Sequence, residues 1–567
     1  MKEAIGKRPI SFTLLGVLSG FALLILFGNL LLILWGSITN YDSLTCHLAR
    51  VKYYLQFGKV GYFGANYWAQ DIHPTNLTYI HILFYKLFSG WENAFLLVQY
   101  LSFLLISWFT YQISIRIFNS KELAGLSALL LFLFVNPVVQ SATSQNDLFL
   151  TLILTFQIYV TVSRWSFTKK LYWLTGLLFF GMGVKQTFIL YQPVVVVFFL
   201  YFNRNLKEGF YKTSVLKYVL FVVIFFPLLL SYLISNYVNL GNVNGFPDVI
   251  SHHSFSEKSL VFILKAGFRN LFRYFFDFIT LDGLNGYPGI ADYIQRLNDF
   301  VKSQLYQVVR LFLGDLEKGP EIRLGFFYLK RLSMEDSSSF WGPIGPLLVL
   351  PAGFYSLLRF FRHGKDNKVI PIILSMILVV LAQSFSSYYD MWRGRYFNEI
   401  APFACLITGH FIYMNWGQRV PKIYIAVGLF LSMMATFGAV YLRHDRTILF
   451  HRNPISIFES SRNELITGKN KDFIHIIDFI SALPPNADSI GLYTTENMPE
   501  YLLFDRKTPR AFFPLNSYQR PSPWKHLRMD AFLFTENILS PKPTDLRLGA
   551  FGVSGGVSLY YRENQIR

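Results

Sequence analysis

Two aspartates of this 567-residue chain stand where long apolar runs begin or end. Asp42 follows the first run, and Asp147 starts a later one behind the polar stretch Ser141-Ala-Thr-Ser-Gln-Asn146. A carboxylate can act as a general base toward a hydroxyl group, and an acid at the edge of an apolar helix indicates a function. Either acid could instead cap a helix. Two acids in comparable positions favour the catalytic interpretation.

Three cations border apolar runs in a similar way. Lys185 lies in the break Gly181-Met-Gly-Val-Lys185, and Arg393 and Arg395 lie in the turn Trp392-Arg-Gly-Arg395. An ammonium group or a planar guanidinium suits phosphate oxygens, so these side chains are candidates for binding a phosphate. The alternatives are a lysine that reaches to the membrane surface and an interfacial belt of Trp, Tyr and Arg.

Three further residues are candidates for substrate binding. His47 and Arg50 follow Asp42 within a helix-length segment, and a spacing of three places them on one helical face. Tyr396 directly follows Arg395. No HxxxH pair with a carboxylate partner falls on a predicted helix, which makes the signal for a metal site weak. A divalent metal remains an open alternative, and no other cofactor is indicated.

The composition places these residues in a membrane protein. Hydrophobic residues make up 53% of the chain and charged residues 15%, whereas soluble proteins carry about a quarter charged residues. The pattern excludes a disordered chain and argues against a soluble enzyme. We predict an all-α polytopic membrane protein with about eleven spans, near residues 11–36, 93–115, 122–140, 147–163, 171–184, 187–202, 215–236, 341–360, 369–388, 397–416 and 421–442.

The distribution of basic residues predicts the orientation. With the amino terminus inside, six short cytoplasmic segments carry 18 Lys or Arg residues and four acids, as the positive-inside rule requires. Most of the net charge of +18 therefore reports topology, and no nucleic-acid partner is needed. We expect a cytoplasmic amino terminus, an extracytoplasmic carboxyl terminus and a bacterial inner or plasma membrane.

The polar stretches outline the domains. Residues 1–442 form the predicted transmembrane module, with outer loops 38–92 and 237–340. Within the second loop, 258–279 reads as an amphipathic helix at the interface. Residues 443–567 form a predicted extracytoplasmic α/β domain, with a helix at 472–483 and strands at 489–494, 531–534 and 557–561.

The order of these features resembles the GT-C superfamily of integral-membrane glycosyltransferases, in particular its protein O-mannosyltransferase and aminoarabinose-transferase branch. The resemblance implies that Asp42 is the catalytic acid of the first loop and Asp147 the second acidic position. It likewise implies that Lys185 and Arg395 lie near the phosphate of a polyprenyl carrier. Several relatives carry Asp-Glu where this chain has Asp42-Ser43, which argues against a two-carboxylate metal arrangement there.

The leading hypothesis is a glycosyltransferase that moves a sugar from a polyprenyl-phosphate donor to a glycan, lipid or protein acceptor at the extracytoplasmic face, with Asp42 as general base. The alternative is a transporter or flippase of lipid-linked or other anionic substrates, whose charges would line a pathway. A glycan polymerase or ligase that uses the same carriers shares most of the chemistry. The chain has no evident internal repeat, and its charged candidates cluster on the predicted outer side, which favours the transferase.

Overall fold

The fold is described from a computed structural model of the whole chain. It describes residues 12–203, 214–255, 258–324, 326–363, 367–443, 446–449, 455–468, 477, 483, 487–496, 498–504, 510–516, 522–525, 527–535, 546–548 and 557–562. The structure is 69% helical. Helices predominate in the described residues up to Tyr441, and a small sheet follows near the carboxyl terminus.

The helices of the first half belong to one packed bundle, in which α5 and α8 form a large contact. Their bounds are α1 Phe12–Trp35, α2 Leu48–Phe57, α3 Trp68–Ile72, α4 Asn76–Leu87, α5 Ala94–Phe118, α6 Lys121–Leu130, α7 Val135–Gln140, α8 Asp147–Val162, α9 Phe167–Met182, α10 Gln192–Phe202, α11 Val215–Phe225 and α12 Pro227–Leu240.

Among the described residues, the second half continues with eight helices, which include two long ones in the 237–340 region and four between residues 350 and 441. Their bounds are α13 Pro247–His253, α14 Leu260–Phe278, α15 Ala291–Leu313, α16 Leu350–His363, α17 Ile370–Ser386, α18 Ala401–Asn415, α19 Arg419–Tyr441 and α20 Arg462–Thr467. A π-helical turn, Ser43–His47, precedes α2, and the 3-10 turns Gln186–Tyr191 and Arg393–Ile400 precede α10 and α18.

Three helices of the described residues are long and apolar enough to cross a membrane alone: α1, α5 and α19. The pair α11 and α12 passes the same test together and is bent by 48° where the chain reaches Pro227. Proline at the start of a helix lacks the N–H that would continue the preceding one, which accounts for the break. Shorter apolar helices cover 147–162, 186–202 and 370–386. The predicted total of eleven spans stays a prediction.

Helix α14 has largely buried arginines and exposed apolar residues. Its two arginines face the protein: Arg273 is buried and pairs with Glu321 at 2.6 Å, and Arg269 pairs with the same carboxylate. Its apolar residues Leu260 and Phe268 are exposed, at 69% and 51%. A helix at the predicted position 258–279 is therefore confirmed, and its two arginines contact the neighbouring 313–321 segment, while Lys265 is exposed.

The carboxyl-terminal sheet has five strands in the order β4-β3-β5-β7-β6. Strands β3 Ser489–Tyr493, β4 Ala511–Pro514 and β5 Ala531–Thr535 are parallel, while β6 Leu546–Leu548 and β7 Val557–Arg562 add antiparallel pairs. A two-stranded pair, β1 Ile322–Leu324 and β2 Tyr389–Asp390, lies elsewhere. Strands β3, β5 and β7 confirm the predicted ones, whereas the helix predicted at 472–483 falls almost entirely outside the described residues.

The carboxyl-terminal region is tied to the 38–92 segment by buried polar contacts. The Glu500 carboxylate accepts hydrogen bonds from Tyr53 Oη, Asn66 Nδ2 and Gln70 Nε2, at 3.1, 2.9 and 3.1 Å. Glu92 likewise pairs with Arg462 at 2.6 Å. The boundary predicted at residue 442 remains a prediction.

Candidate active site

Asp42 and Arg395 meet in an ion pair, with Arg395 Nη1 2.5 Å from Asp42 Oδ2. Asp42 directly precedes the π-helical turn, and Arg395 lies in the 3-10 turn that precedes α18. The Asp42 side chain is 38% exposed, while that of Arg395 is 13% exposed. A partly exposed carboxylate is therefore held by a cation that is largely withdrawn from solvent.

Asp147 and Lys185 form a second ion pair beside the first. Lys185 Nζ lies 2.6 Å from Asp147 Oδ1, and the Asp147 carboxylate is almost fully buried. Asp147 is the first residue of α8, and Lys185 follows the end of α9. Arg395 Nε lies 3.8 Å from Asp147 Oδ2, so Arg395 connects the two pairs. The four side chains form one cluster with no net formal charge.

Tyr396 lies against the cations of this cluster. The Lys185 ammonium is 3.9 Å from the centre of the Tyr396 ring, and the Arg395 guanidinium is 5.2 Å from it. A cation over an aromatic face is attracted by the ring quadrupole, so Tyr396 helps to hold both cations. The structure thus brings together Asp42, Asp147, Lys185, Arg395 and Tyr396 from distant parts of the chain.

Two predicted residues have other partners. The Arg50 guanidinium donates to the carbonyl oxygens of His73 and Pro74 and to Thr78 Oγ1, at 2.9, 3.1 and 2.6 Å. It therefore shapes the 38–92 segment and does not join the cluster. Arg393 is buried, hydrogen-bonds Ser387 Oγ, and lies 3.8 Å from Asp390. Of the two arginines in this turn, Arg395 is the one that contacts Asp42 and Asp147.

The electrostatics favour an ionised Asp42 next to a neutral His47. Burial acts to raise the pKa of Asp42, but the Arg395 guanidinium and further nearby cations outweigh it and hold this pKa below its usual value. Burial and the Arg50 charge lower the pKa of His47 to about 4. At neutral pH the carboxylate of Asp42 is therefore available as a proton acceptor, and His47 carries no charge.

A polar cavity of about 730 Å³ opens beside Asp42 and Arg395. Its lining residues come from the start of the 38–92 segment, the loop 332–337 and the turn 390–395, together with Gln145, Asn285 and Arg443. This volume lies in the usual range for a small-molecule site. A substrate in the cavity would have direct access to the Asp42 carboxylate.

Two buried polar residues near the cluster, Glu399 and Gln145, were not among the predicted site residues. Glu399 is fully buried and interacts electrostatically with Asp147 and Lys185. Its signal was an acid inside a predicted span. Gln145 lines the cavity, and it lies in the polar stretch before Asp147. Both residues therefore add polar groups to the surroundings of the two ion pairs.

The residues of this site do not gather into an evident metal centre. Within the described ranges, no group of three or more His, Cys, Asp or Glu side chains is arranged to hold a metal ion. The histidines of the 38–92 segment are dispersed instead: His73 packs edge-on against Trp68, and His81 against Phe95.

Comparison with known proteins supports the interpretation drawn from the residues. A family model described as dolichyl-phosphate-mannose-protein mannosyltransferase matches residues 72–232, which include Asp147 and Lys185. No match was found among curated protein sequences.

Solved structures extend the similarity to nearly the whole chain. The crystal structure of ArnT from Cupriavidus metallidurans bound to undecaprenyl phosphate has a TM-score of 0.54 and 11% identity, covering 97% of this chain and 98% of that one. Its apo state also has a TM-score of 0.54 at 11% identity, covering 96% and 97%. The apo oligosaccharyltransferase from Archaeoglobus fulgidus has a TM-score of 0.46 at 11% identity, covering 91% and 69%.

At this level of identity the structural similarity to ArnT shows the fold, and the family model adds a sequence match over part of the chain. Both agree with the expectation from the order of charged residues and spans. The chain resembles the GT-C membrane glycosyltransferases, through a mannosyltransferase family match at 72–232 and an ArnT-like fold along almost its entire length.

Proposed function

We propose that this protein is a glycosyltransferase that takes a sugar from a polyprenyl-phosphate donor and transfers it to an acceptor hydroxyl at the extracytoplasmic face of the membrane. The observation that carries the proposal is the cluster of two aspartates and two cations beside a polar cavity. The ArnT structure similar in fold was solved with undecaprenyl phosphate, which is consistent with a lipid-phosphate donor.

Asp42 is the general base in this proposal. Its carboxylate accepts the proton of the acceptor hydroxyl as the acceptor oxygen attacks the anomeric carbon of the sugar. The bond between that carbon and the phosphate oxygen breaks, and its electron pair leaves with the polyprenyl phosphate. Attack from the side opposite the leaving group inverts the anomeric configuration.

Lys185 and Arg395 hold the phosphate in this proposal. Cations aimed at the leaving oxygen stabilise the charge that develops as the glycosidic bond breaks. In the cluster each of these cations is already paired with an aspartate, at 2.6 and 2.5 Å. A donor phosphate would share or replace the aspartate partners of Lys185 and Arg395. The contact between Arg395 and Asp42 would then weaken. Asp147 keeps Lys185 in place and limits the net positive charge.

The proposal also includes the position of the isoprenoid tail and the orientation of the chain in the membrane. The isoprenoid tail lies along the apolar helices, and the 38–92, 237–340 and 443–567 regions face the extracytoplasmic side, with the amino terminus in the cytoplasm of a bacterial inner or plasma membrane. Single-cysteine variants labelled with a membrane-impermeant reagent would test this topology. Labelling of a cysteine at position 292 or 459 only after the cell is permeabilised would contradict it.

The test of the function uses purified protein in detergent and a panel of radiolabelled polyprenyl-phosphate sugars, with sugar nucleotides as controls and a chelator arm for metal dependence. We expect sugar release or transfer from a lipid-linked donor and none from the nucleotides. Exclusive use of a nucleotide donor would overturn the proposal. Movement of intact lipid-linked sugar across vesicles, without cleavage of the sugar–phosphate bond, would favour the transporter or flippase instead.

A further inference from the structure

The cavity beside Asp42 has an acidic lining. Four acidic residues line it, Asp42, Glu335, Asp336 and Asp390, against the cations Arg395 and Arg443 of the lining and Arg393, which lies 3.8 Å from Asp390. Lys185 does not belong to the described lining, so the acid-rich cavity extends away from the second cation of the cluster. A phosphate would be repelled by this lining, which makes the cavity suited to the partner that carries no phosphate.

The three additional carboxylates are held in place by hydrogen bonds. Asp336 accepts from Asn40 Nδ2 at 2.6 Å, and Asp390 accepts from the backbone N–H of Trp392 at 2.9 Å. Glu335 accepts from Ser338 Oγ at 2.9 Å. Each carboxylate can accept more than one hydrogen bond, so these groups offer fixed acceptors to hydroxyl groups in the cavity.

One buried donor in the cavity has no partner. Gln145 is 0% exposed; its Oε1 accepts from Gln140 Nε2 at 2.8 Å, but its own Nε2 has no hydrogen-bond partner among the described residues. A buried N–H group without a partner costs about 1–3 kcal/mol. A ligand oxygen placed against Gln145 would remove this cost, which is independent evidence for a polar ligand.

Two aromatic side chains complete the lining. Tyr41 and Trp392 are 48% and 38% exposed, and both line the cavity. Tyr41 directly precedes Asp42, and Trp392 lies three residues before Arg395. Exposed rings above a polar site can pack against the C–H face of a sugar ring while its hydroxyl groups reach the acceptors and donors below.

We propose that this cavity binds the acceptor, and that the acceptor is a hydroxyl-rich saccharide without acidic groups near the attacking hydroxyl. The inference builds on the proposed function, because it assigns the substrate class of the same site. A uronic acid or a phosphorylated sugar would place an anion among fixed carboxylates, which is unfavourable in a partly desolvated site. A neutral or cationic saccharide meets no such repulsion.

The first experiment compares matched acceptors. Binding of glucose-terminated and glucuronate-terminated oligosaccharides of equal length is measured by titration calorimetry on the full chain, and transfer from the radiolabelled donor is measured for both. We expect the neutral acceptor to bind and react at least about tenfold better. Equal or better binding of the glucuronate-terminated acceptor would overturn the inference.

Variants of the cavity provide the second experiment. Gln145→Leu removes the unpaired donor and should raise the KM for the acceptor by about tenfold, more than it raises the KM for the donor. Gln295→Leu, the same change on α15 outside the cavity, is the control. Glu335→Lys should improve the relative use of the glucuronate-terminated acceptor. Unchanged acceptor KM and unchanged selectivity in both cavity variants would refute the assignment.

Cleavage of the donor in the absence of acceptor separates the two proposals. If the protein hydrolyses the lipid-linked sugar but shows no preference for the neutral acceptor, the transferase proposal stands and the acceptor class is wrong. If it neither cleaves the donor nor binds the oligosaccharides, both proposals fail.

Discussion

Asp42 and Arg395 are separated by 353 residues in sequence and by 2.5 Å in the structure. The guanidinium neutralises the carboxylate and holds its pKa low even though burial acts in the opposite direction. The pair joins the beginning of the chain to the turn before α18. If Asp42 is the general base, as proposed, its ion pair with Arg395 must loosen before the carboxylate can accept a proton.

Asp42→Asn should abolish transfer, by at least about a hundredfold, because an amide cannot accept the acceptor proton. Folding should be little affected, since the side chain is 38% exposed. Turnover with the lipid-linked donor and size-exclusion behaviour in detergent are the measurements. The control is Asp292→Asn, which changes an exposed aspartate of α15. Near-normal turnover by the Asp42→Asn variant would remove the base assignment.

Lys185→Ala should mainly weaken use of the lipid donor, raising its KM by about tenfold or more, because the proposed function assigns Lys185 as one of the two cations that hold the donor phosphate. The change also leaves the buried Asp147 with Arg395 at 3.8 Å as its remaining cation, so a drop in thermal stability should accompany it. Lys169→Ala, at an exposed lysine of α9, serves as the comparison. Unaltered donor dependence would count against phosphate binding by Lys185.

Gly183→Ala should displace Lys185 without changing any charge. A Cβ at position 183 would come within 2.0 Å of Asn76 Nδ2 and 2.2 Å of the Leu228 carbonyl oxygen, where α4, α9 and α12 meet. Relief of such a clash costs about 1–3 kcal/mol. We expect lower thermal stability and at least a tenfold loss of turnover. Gly125→Ala, where a Cβ meets nothing within 4 Å, should have neither effect.

Protein stability should fall as the pH rises from about 4 to about 7 through the titration of Asp71. Burial raises the pKa of Asp71 to about 7 from an ordinary 3.8, although the N–H groups of Phe63 and Ala65 act against this shift. The folded state therefore binds the proton more tightly, and its contribution is complete below pH 4 and lost above pH 7. Melting temperatures across this range should drop by a few degrees in the wild type.

Asp71→Asn should flatten this pH profile, because the side chain no longer titrates. The Asp292→Asn protein, altered at an exposed site, should keep the wild-type slope. A profile that is equally steep in the Asp71→Asn protein would assign the dependence to other groups.

Glu500→Gln should loosen the carboxyl-terminal region and slow turnover. In this variant an amide NH2 group replaces one of the carboxylate oxygens that accept hydrogen bonds from Asn66, Gln70 and Tyr53. Each donor that is left unpaired lowers the stability by about 1–3 kcal/mol. Gln70 also donates to the Thr45 carbonyl oxygen at 2.7 Å, in the turn that follows Asp42. Limited proteolysis and kcat are the measurements, with Glu459→Gln as control. Unchanged values would show that the tie is dispensable.

The positions of the charged cluster could be predicted because each member interrupts an apolar run. Asp147 and Lys185 mark the start of α8 and the end of α9, and a charge at such a position is too costly to be retained by chance. The sequence could not tell Arg393 from Arg395. The turn that carries them has three residues per turn, so side chains two positions apart point in different directions.

The pairing of His47 with Arg50 illustrates a second limit. A spacing of three implies one face only in a regular α-helix, but here a π-helical turn ends at His47 and α2 begins at Leu48. Because of this change in winding, the spacing alone does not fix the relative orientation of the two side chains, although the Arg50 charge still acts on His47. Gln145 and Glu399 were missed as members of the site because their burial and their neighbours are tertiary properties, although Glu399 stands out in the sequence as an acid inside a predicted span.

The contacts between the 38–92 segment and the carboxyl-terminal region have a consequence for biosynthesis. Gln56 exchanges two hydrogen bonds with the backbone of Phe512, and Trp524 donates to the Phe63 carbonyl oxygen. A ribosome makes the first of these partners hundreds of residues before the second. The segment that follows Asp42 can therefore complete these contacts only after the last part of the chain has been made, and a polypeptide that ends before Phe512 would lack them.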